Sequence, residues 1–508
     1  METKKTLERI EKFRYILILE GIAVGVLSGF TVSLFRTLIT KLEAFRGSVT
    51  EGGFGIMPAL FFIAAYVIIC LCVRYEKNCS GSGIPQVKGE LSGQIKTVWY
   101  KILIAKIVGG ACAIGAGLSV GREGPSVQIG AMTAKGFSRL TGRLRTEERL
   151  LLTAGAGAGL SAAFNAPLAG VVFAIEEVHK NLSLDLMLAS MGSCIASDFV
   201  SSYIFGLKPV FNVSPAHILP LKSYWLLIVF GIIIGLFGVV YNLSIKVIQK
   251  AYSHIPSLWI KIAIPVIFAA VLCYVYPYVL GGGSSLVDML AHENWTLKAL
   301  MILLAVKYIF SMISFGSGTP GGIFLPLLVL GAITGSIFAA ATGNEEYIEN
   351  FIILGMAGYF TAIVRSPITG IILISEMTGS LSHLLSLSLV CLVAYIVADA
   401  LKAKPIYDQL LENILPGKPV KNNRKVMLES YIQEGSPMEN CTLSDLALPA
   451  GVLVISIERN GEEIVPSGDT KLKANDNLLI LCSNSMVHEV QEHLRKNLRS
   501  IRGKTFTK

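Results

Sequence analysis

The chain has 508 residues, of which 53% are apolar and only 16% charged, where a soluble chain carries about 25% charged residues. That balance excludes a disordered protein, a coiled coil and a collagen and argues against most soluble enzymes; it fits a polytopic membrane protein with a modest aqueous part. The net charge is +9, and much of the excess sits at 1–14, 402–424 and 495–508, flanking apolar segments without forming a groove-like cluster. Membrane lipids, not nucleic acid, are the partner this implies. Both termini are expected on the cytoplasmic side of a cell membrane.

In chain order, residues 1–14 read as a cytoplasmic segment. The first apolar stretch, 15–35, is too long for a signal-peptide core and lacks a small-residue cleavage site, so no cleavable leader is expected. Stretches near the roughly 20 residues that cross a bilayer follow at 56–73, 224–247, 258–280, 297–313 and 384–401. Three more, 101–130, 150–177 and 322–376, are broken by Gly and Pro, as in membrane helices whose freed backbone lines a cavity. The membrane region is set at 15–410.

A repeat runs through it. Gly155, Ala162, Pro167, Gly170 and Glu176 recur as Gly355, Ala362, Pro367, Gly370 and Glu376. One residue off that register, Pro125 and Gly130 recur as Pro326 and Gly331. Two homologous halves, 15–210 and 220–405, explain this; the repeat alone does not say whether they are inverted. Beyond it, 411–423 read as a linker through Pro416-Gly417-Lys418-Pro419, 424–497 as a small α+β domain, and 498–508 as a basic tail. Strands are expected over 426–432, 451–458 and 477–481, a hairpin at Asn460-Gly461, and a helix over 485–495. The nine cysteines match no zinc or redox spacing, and no metal site is expected.

Three segments combine glycine and proline inside membrane-compatible sequence: Gly81-Ser82-Gly83-Ile84-Pro85, Gly121-Arg122-Glu123-Gly124-Pro125, and 316–326, which ends in Gly321-Gly322-Ile323-Phe324-Leu325-Pro326. Each is a candidate helix start, where free N–H groups and the positive end of the helix dipole face an anion. Several such ends converging bind an anion without a full positive charge, and Ser82 and Tyr407 add hydroxyl donors. Glu123 is the most informative residue. A carboxylate near the bilayer centre costs about 2.5–3.5 kcal/mol, so it must be paired, protonated or solvated. As a negative charge at a helix start it competes with an anion until a proton neutralises it, a physical route to coupling anion and proton movement. A loop-stapling ion pair with Arg122 is the plain alternative. Glu176 and Glu177 end an apolar run at an expected membrane–water boundary, as a proton relay or as helix-capping carboxylates; Glu376 reads as structural. Gly117-Leu118-Ser119-Val120-Gly121 matches a serine-hydrolase elbow, but its flanks are membrane-helical and no histidine set accompanies it, so no catalytic residue and no enzyme is assigned.

Together these segments resemble the CLC family of chloride channels and proton-coupled chloride transporters over about 15–410. The resemblance implies an all-α polytopic membrane protein with inverted repeats and broken helices, forming homodimers, with no cofactor and with chloride and protons as the transported ions. By motif position, Ser82, Tyr407 and the amides of Ile323 and Phe324 correspond to the central chloride site, and Gly121, Arg122 and Gly124 to the outer one. Glu123 corresponds to the external gating glutamate and Glu177 to the internal proton-transfer glutamate. The reading this favours is proton-coupled chloride antiport, with a passive voltage- or pH-gated chloride channel on the same scaffold as the alternative, and Ser82 with the intact Gly-Arg-Glu-Gly-Pro motif argues against a fluoride exporter. One departure stands out: Gln86 and Lys88 occupy positions that are acidic in well-known bacterial exchangers, while Lys106 matches a basic site of that group. All three are potential modifiers of coupling, and a more positive inner proton route is expected. Residues 424–497 resemble the C-terminal lobe of RCK/TrkA-type regulators, which implies a small cytosolic α+β domain that dimerises and takes a nucleotide ligand such as cyclic di-AMP.

Overall fold

Glycine and proline punctuate the helices as the sequence suggests. The computed structural model describes residues 2–207, 209–213, 215, 219–415, 425–432, 435, 436, 438–446, 448–459, 462–483, 486, 487, 489, 490 and 492, without the side chains of 2–13 and 425. The chain divides into two units, Met1–Leu411 and Glu412–Lys508.

The first half of the larger unit comprises α1 (Glu2–Thr50), α2 (Ile56–Tyr75), α3 (Ile84–Leu91), α4 (Trp99–Gly115), α5 (Glu123–Leu140), α6 (Arg145–Phe164), α7 (Pro167–Phe173) and α8 (Leu184–Phe205). The second half comprises α9 (Tyr224–Ser253), α10 (Leu258–Val275), α11 (Ser284–His292), α12 (Leu297–Gly316), α13 (Phe324–Ala341), α14 (Ile348–Val364), α15 (Pro367–Thr378) and α16 (Leu384–Ala400), and α17 (Ile406–Ile414) follows. Among the described residues, eight helices are long and apolar enough to cross a membrane. The helix over 2–14 is continuous with the first span. The expected linker starts late, because α17 runs on through Ile414; the Pro-Gly-Lys-Pro stretch lies outside the described residues.

Burial sorts the helices. Only 22% of the apolar window of α10 is buried, against 83% in α13, so α10 faces outward and α13 forms the centre with α5, α6 and α14. Among the described residues, no cysteine is joined in a disulfide.

The halves are inverted, and one contact shows the two-fold relation between them. Gly121 and Gly322 are repeat mates, and each donates its amide to the other's carbonyl at 2.7 Å in an antiparallel bridge. Equivalent residues paired antiparallel place a two-fold axis between them, the symmetry that an inverted repeat needs. Swapped bonds repeat the relation: Gly81 N donates to Gly318 O at 3.3 Å, and Gly281 N to Gly117 O at 2.8 Å.

The smaller unit holds an antiparallel sheet of β1 (Lys425–Tyr431), β2 (Leu453–Arg459), β3 (Glu462–Ile464) and β4 (Asn477–Ser483), in the order β1-β4-β2-β3. Along β4, Leu478, Ile480 and Cys482 face a core shared with Val454, Ile457 and Leu472, the period-2 alternation of a strand covered on one face. Arg459 pairs with Glu462 across the β2–β3 hairpin; the Asn460-Gly461 turn and most of the helix expected at 485–495 lie outside the described residues.

Asp476 anchors this unit. Burial alone would raise its carboxyl, but two bonds from Arg459 (2.8 and 2.7 Å) and one from the Lys473 amide (2.8 Å) outweigh that and hold it below its ordinary value. The stability it contributes is therefore present above the unfolded value of about 3.9 and is lost as pH falls through the lower folded one. Hydrogen exchange of the full-length protein is expected to show β2 and β4 amides protected from neutral pH down to about 4 and exposed below it. Arg459→Met is expected to bring that exposure on at higher pH.

Candidate functional site

Three helix starts and a tyrosine form the centre. Helix α3 begins after Gly83, whose φ of +101° is open to glycine and strained for other residues. Helices α5 and α13 begin after Arg122 and Ile323, beside the Gly121–Gly322 bridge. A Cβ on Gly124 would stand 2.6 Å from the carbonyl oxygen of Ser82 and against its hydroxyl, so glycine there lets the α5 start close onto Ser82. The start of α13 is fixed by the Phe324 ring, packed against Phe360, Phe164 and Phe173 with centroids 4.7, 5.5 and 6.4 Å away. Tyr407, from the first turn of α17, is fully buried.

The polar groups gathered here are short of partners. Ser82 Oγ, Tyr407 OH and Glu123 Oε1 are buried and make no hydrogen bond. Among the described residues, the amides of Arg122, Gly124, Ile323 and Phe324, at the starts of α5 and α13, have no acceptor. Two hydroxyls and a set of helix-start amides suit a small anion. Gly121 differs from its expected role as a donor: its amide is spent on Gly322. It provides space instead, because a Cβ there would run into the Glu123 carboxylate.

Glu123 is fully buried, and its Oε2 accepts the Leu325 amide of α13 at 3.3 Å. The carboxylate thus sits where a helix start receives negative charge. No ion pair joins it to Arg122 among the described residues. The Arg122 side chain instead lines two cavities, of about 440 Å³ with Glu43 and Arg46 and about 210 Å³ with Arg36 and Asn165.

Glu177 stands on a π-helical turn, Ala174–His179, that continues α7; such turns recur at functional sites. It is 2% exposed and accepts Lys88 Nζ at 2.6 Å and Ser366 Oγ at 3.0 Å. Its neighbour has a different task. Glu176 caps α15 through Ile368 N (3.3 Å), Thr369 N (2.8 Å) and Thr369 Oγ1 (2.7 Å). Its repeat mate Glu376 caps α7 through Leu168 N (3.1 Å) and Ala169 N (2.7 Å). Each half thus ends the other's proline-started helix with a carboxylate, the favourable charge for that end.

The three candidate modifiers separate. Gln86 donates to Ser80 O at 2.7 Å and fastens the loop before α3. Lys106 does not belong to the inner charges: fully buried, it donates to Cys79 O (2.8 Å) and Gly81 O (2.6 Å). Its counterpart Lys307 holds Val279 O and Gly281 O, both at 2.9 Å. Lys106 is therefore half of a symmetric pair of backbone staples. Lys88 does reach Glu177, but it also bonds Asp408, which accepts Lys180 Nζ at 2.8 Å. Two cations meet two carboxylates, so the expected excess of positive charge is absent. Sequence reading missed Asp408, although it follows Tyr407 directly and lies in the first turn of a helix. The elbow-like Ser119 follows helix α4, not a strand, and its amide donates to Ser314 Oγ at 3.1 Å.

The profile of the family described as voltage gated chloride channel matches residues 62–399, and that of the TrkA-C domain residues 427–495. A protein named H(+)/Cl(-) exchange transporter ClcA from Vibrio parahaemolyticus is 34% identical over 422 residues, covering 79% of this chain and 90% of that protein. One of the same name from Yersinia pseudotuberculosis is 32% identical, covering 84% and 93%. The crystal structure of a slow cyanobacterial Cl-/H+ antiporter superposes with a TM-score of 0.74 at 29% identity, over 79% of this chain and 98% of that one. A CLC-type fluoride/proton antiporter shares the fold, with a TM-score of 0.66 at 23% identity, over 76% and 96%.

Proposed function

The chain belongs to the voltage gated chloride channel (CLC) family, and from that premise we propose that it exchanges chloride for protons across the cytoplasmic membrane. The observation that carries this reading is the Glu123 carboxylate lodged at the start of α13 on the Leu325 amide. An ionised side chain there excludes an anion from the same donors; a neutral one does not. Chloride is held by Ser82 Oγ, Tyr407 OH and the amides of Ile323 and Phe324, and on the outer side by those of Arg122 and Gly124. When chloride displaces the Glu123 carboxylate, the carboxylate takes up a proton. The proton is exchanged with Glu177 past the fully buried Tyr407. No resident cofactor or metal is needed.

The finer features follow the same reading. The protein works as a homodimer, each subunit with its own pathway, with both termini cytoplasmic as the flanking positive charge favours. The TrkA-C match supports a regulatory role for the tail, with a nucleotide such as cyclic di-AMP as its ligand.

The test is proton movement in liposomes containing the purified protein, with valinomycin and potassium setting the voltage. A chloride gradient is expected to drive protons uphill. Chloride flux without uphill proton movement would defeat the exchange reading and leave a passive channel.

A further inference from the structure

The proposed exchange needs Glu177 to alternate between charged and neutral forms, yet Glu177 is bonded to the ammonium of Lys88, a side chain only 7% exposed. If Lys88 had no other partner, protonating Glu177 would strand a buried cation, a strongly unfavourable state. Glu177 would then stay ionised and pass no protons. The structure supplies a second partner. The same Lys88 Nζ donates to Asp408 Oδ1, and Asp408 Oδ2 accepts from Lys180 at 2.8 Å. Side-chain exposure rises from 2% at Glu177 to 37% at Asp408, so water meets the cluster from the Asp408 end.

We infer that Asp408 is a positioning residue for proton transfer: by sharing Lys88 it keeps a counter-charge on the ammonium while Glu177 is neutral, and so lets Glu177 take up and release protons. This rests on the exchange reading above. Asp408 adjoins Tyr407 on α17, and Lys88 lies on α3, whose start follows Ser82, so their bond also joins the two segments next to these hydroxyls. The helices pack directly, since a Cβ on Gly89 would meet Leu411 Cδ1 at 3.0 Å. The other groups facing Glu177 are accounted for. Ser366 donates to it and Tyr407 approaches from α17. On its own turn, Glu176 is engaged at α15 and His179 bonds Thr153 Oγ1 of α6 at 3.0 Å, with Arg149 of α6 nearby. None of these offers Lys88 a second anion.

The test compares full-length wild type with Asp408→Asn, Lys88→Met and the double variant in liposomes. Two readouts are used: proton and chloride flux against pH, and the infrared band of the protonated Glu177 carboxyl, assigned by its loss in Glu177→Gln. In Asp408→Asn the band is expected to appear only at pH lower by about one unit or more, a tenfold change in proton activity. Proton flux at neutral pH should fall at least tenfold and recover on acidification. Lys88→Met should move the band the other way, and adding it to Asp408→Asn should restore proton flux to within threefold of wild type. A merely structural Asp408 would not be rescued by deleting its partner. The inference is overturned if the band appears at the same pH in wild type and Asp408→Asn, or if the double variant is no better than Asp408→Asn. The band reports on Glu177 whether or not protons move uphill. Wild type without uphill movement would therefore defeat the exchange reading, while the shift of the band would still decide the role of Asp408.

Discussion

Replacing Glu123 by Gln is expected to leave chloride moving and to stop protons from moving with it. The side chain is fully buried, and its Oε2 accepts the Leu325 amide. Glutamine matches its size, so the packing around the starts of α5 and α13 is kept. What disappears is the group that alternates between anion and neutral acid. A positioned acid–base group is worth about a hundredfold or more in proton transfer, so proton flux in the liposome assay should fall by at least that factor. Chloride flux should remain within about tenfold of wild type, because the side-chain amide still accepts from Leu325 and no donor of the anion site is removed. Its dependence on external pH should vanish as well, since the group that titrates at that position is gone. Proton flux that survives in Glu123→Gln would refute the role given to this residue.

The second large effect concerns folding. Gly335→Val is expected to prevent assembly of the membrane unit, whereas Gly47→Val is expected to be tolerated. A Cβ on Gly335 would lie on the Phe351 carbonyl, with its carbon at 2.5 Å and the Ile352 amide at 2.9 Å. These are backbone atoms of α14, so nothing can rotate away and α13 and α14 must separate. The first half is built alike: a Cβ on Gly155 would press on Gly130 of α5 and come 2.6 Å from the Ala134 side chain. Overpacking costs about 1–3 kcal/mol where side chains can yield, and more is expected where only backbone is in the way. Gly47 has nothing within 4 Å of the same position. Size-exclusion profiles of the two variants in detergent distinguish the outcomes: aggregation of Gly335→Val beside a monodisperse Gly47→Val. A monodisperse Gly335→Val would show that these helices tolerate wider spacing.

These residues show how far the sequence could be read. The helix breaks were legible because glycine and proline act locally, through φ and through the missing N–H. That placed Ser82, Glu123, Ile323 and Phe324 at or beside helix starts. The repeat was legible because duplicated packing needs small residues at duplicated positions, as at Gly155 and Gly355. The tasks of Glu176 and Glu376 were only half legible. Both stand at ends of apolar runs, but that each caps a helix of the other half is a contact about 200 residues away along the chain. Lys106 was half legible for a similar reason: the sequence shows a lysine in an apolar stretch, but that its partners are the carbonyls of Cys79 and Gly81 appears only in the fold.

By itself the sequence determined the membrane class, the broken helices, the duplication and the small strand-bearing tail, because each follows from composition or from periodicities a few residues long. The tertiary structure decided the inversion of the halves, through an antiparallel pairing of repeat mates that either direction of repeat would have permitted in the sequence. It also decided the charge at the inner end. Lys88, Glu177, Lys180 and Asp408 come from three separate stretches of chain, and their balance exists only once α3, the π-helical turn and α17 are packed together. Charges act through space over a few ångströms, and sequence order does not record which of them will be neighbours.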